Sequence, residues 1–192
     1  MTQPDAVGRL VPEVGDNAID VTVYSSKNGE PIQLASFWQG ESTVLVFLRH
    51  LACSFCREQV TDLLACSDDF VKLRTRVVLV TVNRWEETSK FCKDRNLVYP
   101  FICVSDPDRT AYHAYSLSRG HTSQIFSPHV MARGVNAMLH GHFNGIPKAD
   151  PFQMPGVFAV NARGIVIFAH RHRDASDNPD VEQILRAIEA GN

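Results

Sequence analysis

The chain reads as an α/β protein with a mixed central sheet and helices on both faces. Three stretches predict it. Thr43–Leu48 and Val77–Val82 are apolar runs without alternation, and the second is dense in β-branched residues, as suits parallel strands buried on both faces. Between them Cys56, Val60, Leu63 and Leu64 recur at helical spacing, which makes a β-α-β crossover, expected right-handed. Downstream, Val157–Val160 and Ile165–Ala169 flank Asn161-Ala162-Arg163-Gly164, a hairpin with Gly where a left-handed residue is needed.

The elements follow in order. Residues 1–16 read as an extended arm with little to anchor it, and residues 17–192 as one domain. Val21–Tyr24 and Pro31–Leu34 flank Ser26-Lys27-Asn28-Gly29, and Asn-Gly between apolar alternations signals an N-terminal β-hairpin. The strand Thr43–Leu48 leads into a helix over about Ser54–Ser67. After Val77–Val82 come a helix at Trp85–Asn96 and a short strand at Phe101–Val104. Asp106-Pro107-Asp108 is expected to start another helix with Pro near its first position. Residues 117–150 form an insert rich in His and Gly, with a helix expected near Pro128–His140. Asp177–Ala190 closes the chain as an amphipathic helix, with Val181, Ile184, Leu185 and Ile188 on one face.

Composition narrows the function. The 192 residues carry 19 basic and 21 acidic side chains, a formal charge of −2, which gives no footprint for nucleic acid. No stretch approaches the ~18 apolar residues of a membrane span. The start lacks a basic segment followed by an apolar one, so a cytoplasmic, reducing setting is expected. There the five cysteines, Cys53, Cys56, Cys66, Cys92 and Cys103, are expected to be catalytic, metal-binding or plain core residues rather than structural bridges.

Cys53 and Cys56 stand two residues apart at the junction of strand and helix. Free backbone N–H groups and the helix dipole favour a thiolate there. Cys53, first on the helix, is expected to be the exposed nucleophile, and Cys56 the thiol that resolves its mixed disulfide. Arg49, His50 and Arg57 bracket the pair, and their positive charge is expected to favour the Cys53 thiolate. Phe55, between the thiols, is expected to influence which partner docks.

A Cys-x-x-Cys beside a β-α-β pattern reads as a thioredoxin-like redox motif. FLRHLACSFCRE resembles the Arg-x-x-x-Cys-x-x-Cys block of peroxiredoxin-like proteins in the alkyl hydroperoxide reductase and thiol-specific antioxidant superfamily. YPFICVSDPDRTAYHAYSL and ADPFQMPGVFAVNARGIVIFAHR resemble that superfamily's later strand–helix and hairpin stretches. The resemblance covers almost the whole chain after the arm and implies a thioredoxin-like fold. It also implies a substrate-side role for Met154 and Pro155, which sit before a strand as the cis-proline of such folds does. The chain departs from true peroxiredoxins at two places: His50 stands three residues before Cys53, where they carry Thr or Ser, and Val46 stands where they carry Pro.

A magnitude bears on that departure. Lowering a thiol pKa by ~2 units raises the thiolate fraction at pH 7 roughly 25-fold, but nucleophilicity falls about 10-fold, leaving ~2–3-fold. Fast peroxide reduction therefore asks for donors that polarise the O–O bond. Arg49 is the first candidate in place of the missing hydroxyl, and His50 the second. The expected function is a thiol-dependent redox enzyme that reduces a hydroperoxide or a disulfide. It would be regenerated by a thioredoxin- or glutathione-type reductant without an organic cofactor, and a homodimer is compatible with the resemblance. The alternative is a non-enzymatic carrier of zinc or an iron–sulfur cluster on Cys53, Cys56 and Cys103. The pairs His140-x-His142 and His170-x-His172 are further candidate ligands, because in a strand such spacing puts both rings on one face. A third possibility is a scaffold that binds partners through residues 117–150.

Overall fold

A computed structural model describes residues 11–139 and 149–191. Seven strands form one sheet: β1 (Thr22–Ser25), β2 (Pro31–Gln33), β3 (Ser42–Phe47), β4 (Thr75–Thr81), β5 (Phe101–Ser105), β6 (Gly156–Val160) and β7 (Val166–Arg171), in spatial order β2-β1-β5-β4-β3-β6-β7. β3, β4 and β5 are parallel to one another, and the other pairings are antiparallel. The helices are α1 (Ser54–Ala65), α2 (Ser67–Lys72), α3 (Trp85–Asp94), α4 (Thr110–Ala114), α5 (Thr122–Phe126), α6 (Pro128–Leu139) and α7 (Val181–Gly191).

Alternation along the central strands sends side chains to two separate cores. Val44, Val46, Val77 and Leu79 face one side and pack with residues of α1, α3, α6 and α7. Leu45, Phe47, Val78 and Val80 face the other, against Leu34, Trp38, Tyr112 and Tyr115. Every residue of β3 is buried, which is why its sequence shows no polar face. On the second side Phe47, Tyr112, Tyr115 and Phe158 form an aromatic cluster with centroids 4.9–5.9 Å apart for the close pairs.

Both hairpins turn on a glycine with positive φ, Gly29 at 74° and Gly164 at 80°. A tryptophan lies against each. A Cβ on Gly29 would come within 2.8 Å of the Trp85 ring, and one on Gly164 within 3.3 Å of the Trp38 ring.

Four sequence expectations are corrected. Residues 11–16 are anchored: Arg171 donates to the Pro12 carbonyl (2.7 Å) and to Glu13 (2.9 Å), and the Gly15 N–H donates to Val166 (2.8 Å). The first helix breaks at Cys66, whose N–H turns back to Leu63 and Leu64, and α2 follows. Asp106-Pro107-Asp108 precedes its helix instead of opening it. The Asp106 carboxylate accepts the N–H groups of Thr110, Ala111 and Tyr112 at 3.0, 2.8 and 3.2 Å, capping α4 from outside. The last helix starts at Val181, where the Asp180 carboxylate accepts the Glu182 N–H at 3.0 Å, while the Asp177 carboxylate is engaged by the backbone and guanidinium of Arg173.

Candidate active site

The central strand delivers the site. After Phe47, the Leu48 N–H donates to Val80 at 2.9 Å, and a short turn carries the chain through Arg49 and His50 to Cys53. The Tyr112 hydroxyl lies 2.6 Å from the Leu48 carbonyl and 2.9 Å from that of Val80, fastening the ends of β3 and β4 beneath the turn. Cys53 is the N-cap of α1, and Cys56 lies in its first turn.

Arg49 touches both sulfurs. Its Nη1 lies 3.8 Å from Cys53 Sγ, and its backbone N–H donates to Cys56 Sγ at 3.3 Å. Its Nε donates to the Pro151 carbonyl at 2.7 Å, which fixes the direction of the guanidinium. The next residue back, Asp150, pairs with Arg109 at 2.9 Å and Arg119 at 2.6 Å and accepts the Phe152 N–H, holding that loop in place.

The two thiols are driven apart electrostatically. The Cys56 thiol gives its hydrogen to Cys53, and this lowers the Cys53 pKa from 9.0 to about 6. Burial opposes the shift, while Arg49 and the N–H groups of Cys56 and Phe55 add to it. Cys56 is pushed well above the usual thiol range, first because it gives up that hydrogen and then because it is buried. The two shifts run in opposite directions, so Cys53 ionises before Cys56 and Cys56 is the one that keeps its hydrogen.

Several candidates sit differently from expectation. Cys53 is not open to solvent: it is 1% exposed. α6 packs along α1, and Phe55, Val130 and Ala175 share the apolar cluster with Cys53. Asn178 also donates to the Phe55 carbonyl at 3.0 Å across the start of α1. His50 adds no positive charge at pH 7, because burial, then Arg49 and Arg57, lower its pKa to about 4. Arg57 donates to the Leu51 carbonyl at 3.2 Å, tying the helix to the turn before it. Phe55, Met154 and Pro155 are all buried, and the Met154 sulfur packs where Gly120 leaves no room for a Cβ. The cis X-Pro bond among the described residues is Tyr99–Pro100, so Met154–Pro155 keeps the ordinary trans form.

Cys103 is bonded to Cys92, joining β5 to α3, so the expectation that these two are catalytic, metal-binding or plain core residues rather than a bridge is also corrected. That bond removes the third ligand of the metal reading. Among the described residues no group of three or more His, Cys, Asp or Glu is placed to hold a metal ion. His170 and His172 do lie together, with ring centroids 5.2 Å apart, but His170 bonds the Asp177 carbonyl and His172 is buried. His140 and His142 lie outside the described residues.

Sequence reasoning missed Pro151, Asp150 and Tyr112. Pro151 acts through a backbone carbonyl 102 residues away from Arg49, for which a sequence carries no signal. Tyr112 was legible only as one aromatic in a helical pattern.

A thiol pair at a helix start, fed by the central strand of a mixed sheet, defines a thiol redox protein of thioredoxin fold. The model of the AhpC/TSA family matches residues 14–169, and the chain belongs to that family. Peroxiredoxin-like 2C of Homo sapiens is 24% identical over 170 residues, covering 83% of this chain and 74% of that protein. A prostamide/prostaglandin F synthase of Danio rerio is 24% identical over 174 residues, 85% of this chain and 82% of its own. The crystal structure of peroxidoxin BcpB from Mycobacterium tuberculosis superposes with a TM-score of 0.68 at 15% identity, covering 94% of this chain and 99% of that one. The chain is a peroxiredoxin-like, thiol-dependent redox enzyme.

Proposed function

We propose that the enzyme reduces a small hydroperoxide at Cys53, with Cys56 as the resolving thiol and Arg49 as the donor that stands in for the missing hydroxyl. The observation that carries this reading is the Arg49 guanidinium 3.8 Å from the Cys53 sulfur, held in that direction by Pro151. The Cys53 thiolate attacks one peroxide oxygen, the O–O bond breaks, and the alcohol leaves after taking a proton. Cys53 becomes a sulfenic acid. Cys56 then attacks that sulfur, forming the disulfide and releasing water. An external thiol reductant of thioredoxin or glutathione type returns two electrons, and the scheme needs no cofactor. A reducing, cytoplasmic setting suits it.

Size favours a peroxide over a protein disulfide. The Cys53 sulfur is 1% exposed and α6 packs on α1, so a protein disulfide would need far more of that cover moved than a small peroxide would. Arg49 also supplies charge where the departing oxygen becomes negative.

The test is mass spectrometry after one equivalent of peroxide, with peroxide consumption followed in parallel. A Cys53–Cys56 disulfide in the wild type, and persistent sulfenic acid on Cys53 in Cys56→Ser, are expected. No peroxide consumption together with rapid exchange against a protein disulfide would overturn the assignment.

A further inference from the structure

We infer that the Cys92–Cys103 bridge is a second thiol–disulfide exchange site, separate from Cys53 and Cys56, and that it takes a small anionic thiol of tripeptide size, the class to which glutathione belongs. The bridge lies in the wall of an open groove of ≈ 1000 Å³ lined by both cysteines. The groove exists because β1 pairs with β5 only at Tyr24–Ser105 and Ser25–Val104. The Ser26 N–H still reaches the Cys103 carbonyl at 3.4 Å, but beyond it the chain turns into its hairpin while β5 runs on to Phe101, so the ladder with β1 stops before Ile102 and Phe101.

Three observations fit the groove to this ligand. Cys92 is half-buried and Cys103 is 6% exposed, so an attacking sulfur must come in along the groove and meets Cys92 first. A protein dithiol presented on a broad surface does not reach that far, whereas a tripeptide-sized thiol fits a cavity of this volume. Lys27 and Lys93 stand on the wall, and none of the described lining residues is acidic, which favours carboxylates on the incoming thiol. Neither lysine has an ion pair among the described residues, so neither charge is already neutralised.

The reaction balances with two thiols. The first, as thiolate, attacks Cys92 Sγ. The Cys92–Cys103 bond breaks, Cys103 leaves as thiolate and takes a proton, and the small thiol stays on Cys92 as a mixed disulfide. A second thiol attacks the small molecule's sulfur, releasing Cys92 as a thiol and the small molecule as its own disulfide. Site and charge do not depend on what Cys53 attacks, so the inference stands or falls apart from the peroxide assignment.

The experiment uses the full chain with the bridge formed. The protein is incubated with glutathione or with neutral 2-mercaptoethanol, quenched with a maleimide and mapped by mass spectrometry. Glutathione is expected to appear on Cys92 while Cys103 becomes alkylated, in folded protein. The double variant Lys27→Gln/Lys93→Gln is expected to slow glutathione roughly threefold to tenfold and leave the neutral thiol unchanged. Two results would overturn the inference: a bridge that neither thiol opens until denaturant is added, or lysine substitutions that leave the glutathione rate unchanged.

Discussion

The Nε of Arg49 donates to the carbonyl oxygen of Pro151 at 2.7 Å, and this one bond points the guanidinium at the Cys53 sulfur. Two segments far apart in the chain meet here, one carrying the Cys53 thiol and the other aiming the charge beside it.

Arg49→Ala removes both the charge and the donor. The Cys53 pKa is expected to rise from about 6, because a cation beside a thiolate favours the ionised form. Thiolate absorbance across a pH series reads this. Peroxide consumption is expected to fall roughly 10- to 100-fold, near the lower end of losses seen when an oxyanion donor is removed.

Asp150→Ala breaks the pairs with Arg109 and Arg119 without touching either sulfur. The loop carrying Pro151 loosens, and Arg49 spends less time at Cys53. A smaller rise in the Cys53 pKa than in Arg49→Ala is expected, with activity lowered about 3- to 10-fold. In the Arg49→Ala background the same change should have little further effect, because both variants act through one guanidinium.

Acid weakens the fold through two buried histidines. Burial lowers His50 to about 4 and, helped by His170, lowers His172 to about 3. As pH falls below 6.5, the unfolded chain takes up protons that the folded chain refuses. Stability is therefore fully present above pH 6.5 and is lost as pH falls toward 4, at ~1.4 kcal/mol per pH unit for each histidine. Urea midpoints at pH 7.5, 5.5 and 4.5 test this, and His172→Leu is expected to flatten the slope.

Tyr112→Phe removes the hydroxyl that meets the Leu48 and Val80 carbonyls while leaving the ring in the aromatic cluster. A stability loss of about 1–2 kcal/mol is expected, since a buried carbonyl loses a donor. Urea unfolding at pH 7.5 measures it. The Cys53 pKa is expected to stay near 6, which separates a structural role from an electrostatic one.

Most of the architecture was legible because burial on both faces leaves a plain mark. Thr43–Leu48 and Val77–Val82 read as core strands for the reason they are core strands: every position meets another side chain. The hairpins were legible through Gly29 and Gly164. Asp106 was misread because an Asp-Pro pair looks the same whether it opens a helix or caps it from outside. The thiol pair was visible, but its cover was not, since the contact of α6 with α1 depends on packing across the insert. His50 was read as a charge because a sequence shows an imidazole and not its solvent. The Cys92–Cys103 bond was passed over because neither residue sits in a spaced motif, and only the pairing of α3 with β5 brings them together.

The placement of the chain's two tryptophans, Trp85 on the β1–β2 corner and Trp38 on the β6–β7 corner, has a spectroscopic consequence. Those corners belong to opposite margins of the seven-stranded sheet. Indole emission therefore samples both margins at once, and single-tryptophan variants would show whether the two sides melt together or one frays ahead of the other.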